Sequence, residues 1–215
     1  MTDLFSGIEE HQRERIGEGA CYFPGFALAD AEELFTHIGR VTAQAGFRTM
    51  KTPGGRSMSA EMTGCGQFSW VSDNLGYRYS EQDPLTGRPW PEMPPAFADL
   101  AHRAAAEAGY PGFQPDVCLI NRYGEGARMG LHQDRDEQDL QWPIVSVSLG
   151  LPMTFLWGGL ERKGGQLKLV LNHGDVLVWG GADRLRYHGV APLKQGHHAL
   201  TGAYRYNLTF RRAID

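Results

Sequence analysis

The chain has 215 residues, a formal net charge of -4 and an isoelectric point near 6.1. This acidic balance excludes a uniformly basic nucleic-acid coat protein, so any nucleic-acid contact has to come from a local basic patch. No run approaches the about 18 apolar residues that a membrane helix needs, and Met1 to Arg15 lacks the apolar stretch of an export signal. We therefore expect a cytoplasmic protein with no membrane association.

The three cysteines, Cys21, Cys65 and Cys118, are far apart and form no Cys-x-x-Cys motif. This spacing indicates neither a zinc site nor a disulfide framework, and reduced thiols fit an intracellular protein. A chain of this length buries about 70% of its unfolded surface when it folds as one domain. We expect a single domain over residues 1–215, and a monomer.

Two helices are predicted in the first half of the chain. Asp30 is placed to cap a helix that continues to about Ala45, with apolar residues at helical spacing over 34–41. A second helix is predicted over 95–108, where Gly109 follows as a helix-ending residue. Between the helices, Thr52-Pro53-Gly54-Gly55 has the composition of a turn. Such a loop can act as a lid that excludes water from a site.

From Asp116 onward the sequence changes to short β-branched or aromatic runs separated by turn residues. The predicted strands cover residues 117–123, 144–149, 154–157, 167–171, 176–179 and 204–210. Many short strands with closely spaced turns are typical of a jelly roll. The sequence therefore predicts an α+β protein that is mainly β, with helices and lid in 1–112 and the β core in 113–215.

The run Leu131-His132-Gln133-Asp134 carries two metal-ligand side chains. On an extended strand, His132 and Asp134 point to one face, with Cα atoms about 7 Å apart. A second imidazole from a distant strand, His188, would complete a set of two histidines and one carboxylate. Such a set binds Fe(II) on one side and leaves coordination positions open on the other. The pattern predicts a catalytic iron site.

The segment 205–211 alternates polar with apolar side chains. On a strand its polar members share one face; they are Arg205, Asn207, Thr209 and Arg211. Two arginines that face a core are costly unless an anion lies there, and guanidinium groups bind carboxylates through paired hydrogen bonds. Their Cα atoms are about 20 Å apart on a straight strand, so twist and side-chain length have to close the gap to a small diacid. The alternative is an edge strand with solvated arginines.

The predicted strand 117–123 adds two neutral polar groups. Alternation places Asn121 and Tyr123 on the same face, where an amide and a phenol can hydrogen-bond a carboxylate without adding charge. Alternatively, Tyr123 packs with its hydroxyl at the surface.

These motifs resemble those of the iron- and 2-oxoglutarate-dependent dioxygenases, and among them the AlkB family of alkylation-repair enzymes in its bacterial form. The resemblance covers nearly the whole chain, and its further segments are Thr52 to Gly55, Trp70, Tyr77 to Tyr79, Pro89-Trp90-Pro91, Phe113 to Asp116, Pro143 to Pro152, His173 to Val176 and Trp179-Gly180-Gly181. The closing Arg-x-Asn-x-Thr-x-Arg is the most diagnostic motif. Trp157 replaces a smaller aromatic side chain of the family pattern, which is expected to alter the pocket.

The resemblance implies a double-stranded β-helix (jelly roll) core with N-terminal helices and a nucleotide-recognition lid. It also implies Fe(II) at His132, Asp134 and His188, with 2-oxoglutarate and O2 as cosubstrates. The residues implied for 2-oxoglutarate are Asn121, Tyr123, Arg205, Asn207 and Arg211. Arg205 is expected to pair with its distal carboxylate and Arg211 with its proximal one.

The activity implied is oxidative demethylation of bases such as 1-methyladenine and 3-methylcytosine in single-stranded DNA or RNA, with release of formaldehyde. The residues implied for the substrate are Trp70, Tyr77, Arg78, Tyr79, Asp136 and Arg162. A base of this kind is cationic and unpaired, which makes it cheaper to flip out of a helix. Trp70 is suited to stack on it and Asp136 to face its positive charge. Alternatively, Trp70 belongs to the core and Asp136 is a solvated loop acid.

Two other functions remain open from the sequence. The same iron site serves oxygenases that act on a protein or a small molecule. A jelly roll can also bind metal or 2-oxoglutarate without turnover.

Overall fold

The computed structural model describes residues 13–214, which contain fourteen strands, two α-helices and one 3₁₀ turn. Residues 1–12, most of the segment in which we expect no export signal, lie outside the described part. In chain order the strands are β1 Glu14–Arg15, β2 Ala20–Phe23, β3 Arg48–Lys51, β4 Ser57–Gly66, β5 Ser69–Asp73, β6 Gly76–Ser80, β7 Val117–Tyr123, β8 Met129–His132, β9 Ile144–Gly150, β10 Met153–Trp157, β11 Leu167–Leu171, β12 Val176–Trp179, β13 His188–Val190 and β14 Arg205–Arg211. The helices are α1 Ala31–Gln44 and α2 Pro95–Glu107, and the 3₁₀ turn is Gly181–Asp183.

Helix α1 has the predicted position and buries Leu34, Ile38 and Val41. The prediction that Asp30 caps it through its side chain is wrong. Asp30 occupies the N-cap position but makes no capping hydrogen bond. Its carboxylate instead accepts two hydrogen bonds from Arg103 of α2, at 2.9 and 3.0 Å, and this ion pair joins the two helices.

Helix α2 begins with Pro95, a residue preorganised for the first turn of a helix. It ends before Gly109, whose φ of +95° is a conformation that side chains with a Cβ rarely adopt. The helix turns Phe97, Leu100 and Ala104 toward the main sheet, where all three are fully buried.

The main sheet has eight strands in the order β1-β2-β12-β9-β14-β7-β4-β3. Strand β14 lies near its centre, paired antiparallel with β9 on one side and β7 on the other. The alternation predicted for β14 is confirmed, because Tyr206, Leu208 and Phe210 join the core under the helices while the polar residues face the opposite side. Both faces of this strand are therefore buried.

A second sheet of four strands has the order β11-β10-β13-β8. Its ladder places His188 of β13 directly opposite His132 of β8. A separate hairpin of β5 and β6 lies beside the main sheet and contacts β3, β4 and β7. The two larger sheets and the hairpin enclose the cavity described below.

The predicted strands of the second half of the chain are confirmed to within one residue at their ends. The first half contributes more than helices and a lid, because β1 and β2 extend one edge of the main sheet and β3 and β4 extend the other. The division of the chain near residue 113 stays a prediction. Cys21, Cys65 and Cys118 are free and buried. Neither helix within residues 13–214 has the length and apolar character required to cross a membrane.

Because β14 lies near the centre of the main sheet, we predict that loss of one of its buried side chains destabilises the protein. Phe210 is fully buried and meets the ring of Phe97 edge to face, with ring centroids 6.1 Å apart. We expect Phe210→Ala to lower the free energy of unfolding by about 3–5 kcal/mol, because it removes a large ring and leaves a cavity. Urea unfolding followed by circular dichroism measures this change.

The matched control for Phe210→Ala is Leu85→Ala, whose side chain is 72% exposed. We expect this control to change the free energy of unfolding by less than about 0.5 kcal/mol. Equal effects of the two substitutions would contradict the central role of β14.

Candidate active site

A cavity of about 520 Å³ lies between the two sheets and is bounded on one side by the hairpin of β5 and β6. Its polar lining comes from β7, β8, β13, β14 and the loop that follows β8. The predicted site residues that line it are Trp70, Tyr77, Tyr79, Asn121, Tyr123, His132, Asp134, Asp136, Arg162, His188, Arg205, Asn207 and Arg211. Of the substrate residues implied by the resemblance, only Arg78 is not part of this lining. The structure thus brings three separately predicted groups of residues into one space.

His132, Asp134 and His188 form the one group of three or more potential metal ligands found among residues 13–214. Their ligand atoms all lie within 4.8 Å of one another. The Asp134 carboxylate is 3.6 Å from Nε2 of His132 and 3.7 Å from Nε2 of His188. This spacing suits three ligands around a single ion.

The prediction that His132 and Asp134 share a strand is wrong. Strand β8 ends at His132, and Asp134 lies in the loop that follows. The two side chains still converge, since their ligand atoms lie within 4.8 Å of each other and of the imidazole of His188.

Backbone carbonyl groups orient both imidazoles. Nδ1 of His132 donates to the carbonyl of Gly130 at 2.9 Å, and Nδ1 of His188 donates to that of Arg186 at 3.0 Å. A ring with its proton on Nδ1 presents the lone pair of Nε2, which is the arrangement of metal-binding histidines.

The charges around the triad favour the forms that bind a metal. Burial by itself raises the pKa of the Asp134 carboxyl, but Arg211 and the two imidazoles outweigh burial and hold this pKa well below its ordinary value. Burial, together with His132, lowers the pKa of His188 to about 4. A carboxylate and a neutral imidazole are the states that a metal requires, so the donor set fits a divalent cation.

Arg205 is almost completely buried, yet no carboxylate among the described residues pairs with it. Its Nη2 donates to Oγ of Ser148 at 2.9 Å, while Nε and Nη1 have no hydrogen-bond partner. Burial lowers the pKa of Arg205, which shows how poorly its charge is compensated. The acceptor Oδ1 of Asn121 is also without a partner, and the ring of Tyr123 lies 5.4 Å from the guanidinium carbon. A buried cation with free donors is a fitting receptor for a ligand carboxylate.

Arg211, at the other end of β14, is already paired with protein carboxylates. Its Nη2 and Nε both donate to Oδ2 of Asp134, at 2.6 and 3.1 Å, and its Nε also lies 3.2 Å from Oε1 of Glu137. Burial lowers the pKa of Arg211, but the two carboxylates and Tyr79 outweigh burial and raise it. Only Nη1 lacks a partner. Arg211 therefore holds the metal ligand Asp134, and its Nη1 is left to donate to a further acceptor.

Asn207 lies between the two arginines and is tied to the neighbouring strand. Its amide nitrogen donates to Oγ of Ser146 and to the carbonyl of Val147, and its oxygen accepts from Thr209. The side chain lines the cavity, and its amide nitrogen and oxygen are both already hydrogen-bonded to the protein.

The hairpin provides an aromatic wall. Nε1 of Trp70 donates to the Asp136 carboxylate at 2.9 Å, and the Trp70 ring stacks on Tyr77 with centroids 5.4 Å apart and an interplanar angle of 15°. The Tyr79 hydroxyl donates to Glu137 at 2.7 Å. The neighbouring Arg78 is turned away from the cavity and pairs with Asp73 at 2.8 Å.

Two other predicted features lie outside the cavity wall. The turn Thr52 to Gly55 connects β3 to β4 and does not line the cavity, although Met58 and Met62 beyond it do. Trp157 is buried behind the wall, where it contacts Phe155 and Trp179. Trp157 therefore acts on the shape of the cavity through these two rings.

The sequence did not identify Glu137 and Arg184 as members of the site. Both side chains are buried, and they form an ion pair at 3.1 Å. Glu137 ends the acidic run that begins at Asp134, and such a run is usually solvated. No alternation of polar and apolar residues identifies them, because Glu137 lies in a loop and Arg184 follows a 3₁₀ turn.

The triad makes a prediction about metal affinity. We expect Asp134→Asn to weaken Co(II) binding by more than about 100-fold. Substitution of a residue that only hydrogen-bonds a metal ligand already lowers metal affinity by about 10- to 100-fold, and loss of the ligand itself should cost more. The Co(II) absorption spectrum, titrated without oxygen, measures the affinity. Asp99→Asn on the surface of α2 is the control and should leave affinity unchanged. Retained binding in Asp134→Asn would exclude this residue as a ligand.

Comparisons with known proteins agree with the geometry. A model of the 2OG-Fe(II) oxygenase superfamily matches residues 19–211. The chain is 55% identical to the alpha-ketoglutarate-dependent dioxygenase AlkB of Escherichia coli, over 99% of this chain and 98% of that protein. It is 52% identical to the protein of the same name from Salmonella typhimurium, over 100% of this chain and 99% of the relative.

The solved structure of OsALKBH1 superposes with a TM-score of 0.83 at 27% identity, covering 94% of this chain and 100% of that one. This match confirms the predicted jelly-roll architecture. Together with the superfamily match and the identity to two bacterial relatives, it establishes that the chain belongs to the AlkB family of Fe(II)- and 2-oxoglutarate-dependent dioxygenases.

Proposed function

We propose that this protein demethylates alkylated nucleic-acid bases oxidatively and thereby repairs alkylation damage directly. The proposed substrates are bases such as 1-methyladenine and 3-methylcytosine in single-stranded DNA or RNA, and formaldehyde is the second product. One observation carries the proposal. An aromatic plate with a carboxylate at its edge, Trp70 with Asp136, shares one cavity with the metal triad.

The metal is Fe(II), held by His132, Asp134 and His188. With 2-oxoglutarate and O2, bound Fe(II) supplies the oxidation that couples decarboxylation of the cosubstrate to hydroxylation of a C–H bond. The protein would supply a carboxylate and two Nε2 lone pairs to the ion. The cavity that these ligands line would leave room for cosubstrate and base.

The 2-oxoglutarate molecule fits the polar groups of β7 and β14. Arg205 offers two free donors to its distal carboxylate, and Asn121 and Tyr123 lie beside that position. Arg211 has Nη1 available for the proximal carboxylate, while its other donors hold Asp134 and Glu137. Asn207 is expected to shape the floor between the two ends, since its amide is already bonded to the protein.

The methylated base fits the wall of the hairpin. Trp70 stacks on its ring, and the Asp136 carboxylate faces its positive charge. The hydrogen bond from Trp70 fixes this carboxylate before the base arrives. Hydroxylation of the N-methyl group gives a hemiaminal, and cleavage of its C–N bond returns the base and releases formaldehyde.

Tyr77, Tyr79 and Arg162 line the cavity and are proposed to contact the nucleotide and its flanking backbone. Arg78 is half-exposed and paired with Asp73, so its contact to the nucleic acid would require that pair to open or to be shared. We also propose that the enzyme acts as a monomer in the cytoplasm, a compartment in which its three free cysteines stay reduced.

The function is tested with a single-stranded oligonucleotide that carries one 1-methyladenine. The enzyme is loaded with Fe(II) and 2-oxoglutarate without oxygen, air is admitted, and base mass, succinate and formaldehyde are measured together. We expect loss of the methyl group with an equal amount of formaldehyde. Succinate without any change of the base would support an oxygenase with a protein or small-molecule substrate.

A substitution tests the role of Asp136. We expect Asp136→Asn to lower kcat/KM for this oligonucleotide by about tenfold, because a hydrogen bond to a charged group contributes about 1.5 kcal/mol or more. An asparagine oxygen can still accept from Trp70, so the plate should stay in place. Glu125→Gln, which changes an exposed acid outside the cavity lining, is the control. An unchanged kcat/KM in Asp136→Asn would contradict the proposed role of Asp136 in binding the base.

A further substitution tests the cosubstrate site. We expect Arg205→Met to raise the KM for 2-oxoglutarate by about 10- to 100-fold, because charge-assisted hydrogen bonds to the carboxylate are lost. Binding of Co(II) without 2-oxoglutarate should not change. Because Arg205 has no carboxylate partner among residues 13–214, its loss should not lower thermal stability. An unchanged KM would contradict the assignment.

A further inference from the structure

We infer that Arg184 is a positioning residue for the reaction, because it fixes the metal ligand Asp134 through a closed ring of ion pairs and hydrogen bonds. Arg184 follows the 3₁₀ turn and its side chain is 3% exposed. It is not part of the cavity lining. Its effect on the site therefore has to pass through its neighbours.

Three contacts hold the Arg184 guanidinium. Nε donates to the carbonyl of Trp142 at 3.0 Å, and Nη1 donates to the carbonyl of Asp134 at 2.7 Å. Nη2 lies 3.1 Å from Oε2 of Glu137. Nε and Nη1 therefore donate hydrogen bonds to two carbonyl groups while Nη2 forms an ion pair, an arrangement that suits the planar guanidinium group of arginine.

Glu137 continues the ring toward the metal ligands. Its Oε1 lies 3.2 Å from Nε of Arg211, and Arg211 donates through Nη2 to the Asp134 carboxylate at 2.6 Å. The ring closes at Asp134, whose carbonyl contacts Arg184 and whose carboxylate contacts Arg211. One network therefore grips this residue at both its backbone and its side chain.

This grip matters because no strand positions Asp134. The residue lies in the loop after β8, where no ladder hydrogen bonds fix its carboxylate relative to the imidazoles. The ring contains two carboxylates and two guanidinium groups, so its charges balance in a buried place. Without Arg184, Glu137 is left to compete with Asp134 for the single cation of Arg211. Such a change displaces the metal ligand without removing it.

The inference is tested with Co(II) as the probe and the full chain without nucleic acid, so the result is independent of the base substrate. We expect Arg184→Met to weaken Co(II) binding by about 10- to 100-fold and to shift its absorption bands, as for other residues that support metal ligands. Arg184→Lys can pair with Glu137 but cannot serve both carbonyl groups, so it should restore only part of the affinity.

Arg48→Met is the matched control, because Arg48 forms another buried arginine–carboxylate pair, with Asp83, outside the cavity lining. This control should lower the melting temperature and leave the Co(II) affinity and spectrum unchanged. If Arg184→Met behaves in the same way, Arg184 is only structural and the inference is overturned.

The double variant Arg184→Met/Glu137→Gln removes both charges and guards against a variant that fails to fold. We expect its melting temperature to recover toward that of the unmodified protein while Co(II) binding stays weak, because the orientation of Asp134 remains lost. Full recovery of Co(II) affinity would show that only charge balance matters and would overturn the positioning role.

Discussion

Burial of both faces of β14 is the constraint on which the rest of the structure depends. Its apolar face packs under the two helices, and its polar face carries two arginines into the interior. A buried guanidinium needs an acceptor for its charge. The structure meets this need in two different ways at the two ends of one strand, and this difference separates the metal site from the proposed cosubstrate site.

At one end, Arg211 receives protein carboxylates from the loop after β8. Asp134 and Glu137 compensate its charge, and Arg211 in turn orients the carboxylate of Asp134. At the other end, the one hydrogen-bond partner of Arg205 within residues 13–214 is a serine hydroxyl, and two of its nitrogens keep their donors free. The carboxylate of the proposed 2-oxoglutarate would compensate this charge, and an unfavourable burial would thereby contribute to the binding free energy. One strand of alternating sequence, β14, thus carries both a permanent ion pair at Arg211 and a proposed carboxylate receptor at Arg205.

The sequence predicts these parts to different extents. Alternation identifies the polar faces of β7 and β14, because a period of two admits one assignment once a face is buried. It fails for the loop that holds Asp134 and Glu137, because loop geometry depends on contacts with Arg184 and Arg211 from distant parts of the chain. The strands of the first half also escaped prediction. Except for β2, their sequences are rich in glycine, serine or charged residues. Strands β1 to β4 pair at the two edges of the main sheet, whereas β5 and β6 pair with each other.

The loop from Asp134 to Glu137 connects the metal ligands to the wall that is proposed to receive the base. A hairpin such as β5–β6 is marginally stable by itself and needs attachment to the body of a protein. Two of its attachments are hydrogen bonds from Trp70 to Asp136 and from Tyr79 to Glu137. The same short loop supplies a metal ligand and both of these acceptors. Both acceptors lie within three residues of Asp134 along the chain, and Arg184 contacts the same loop at the carbonyl of Asp134 and at Glu137.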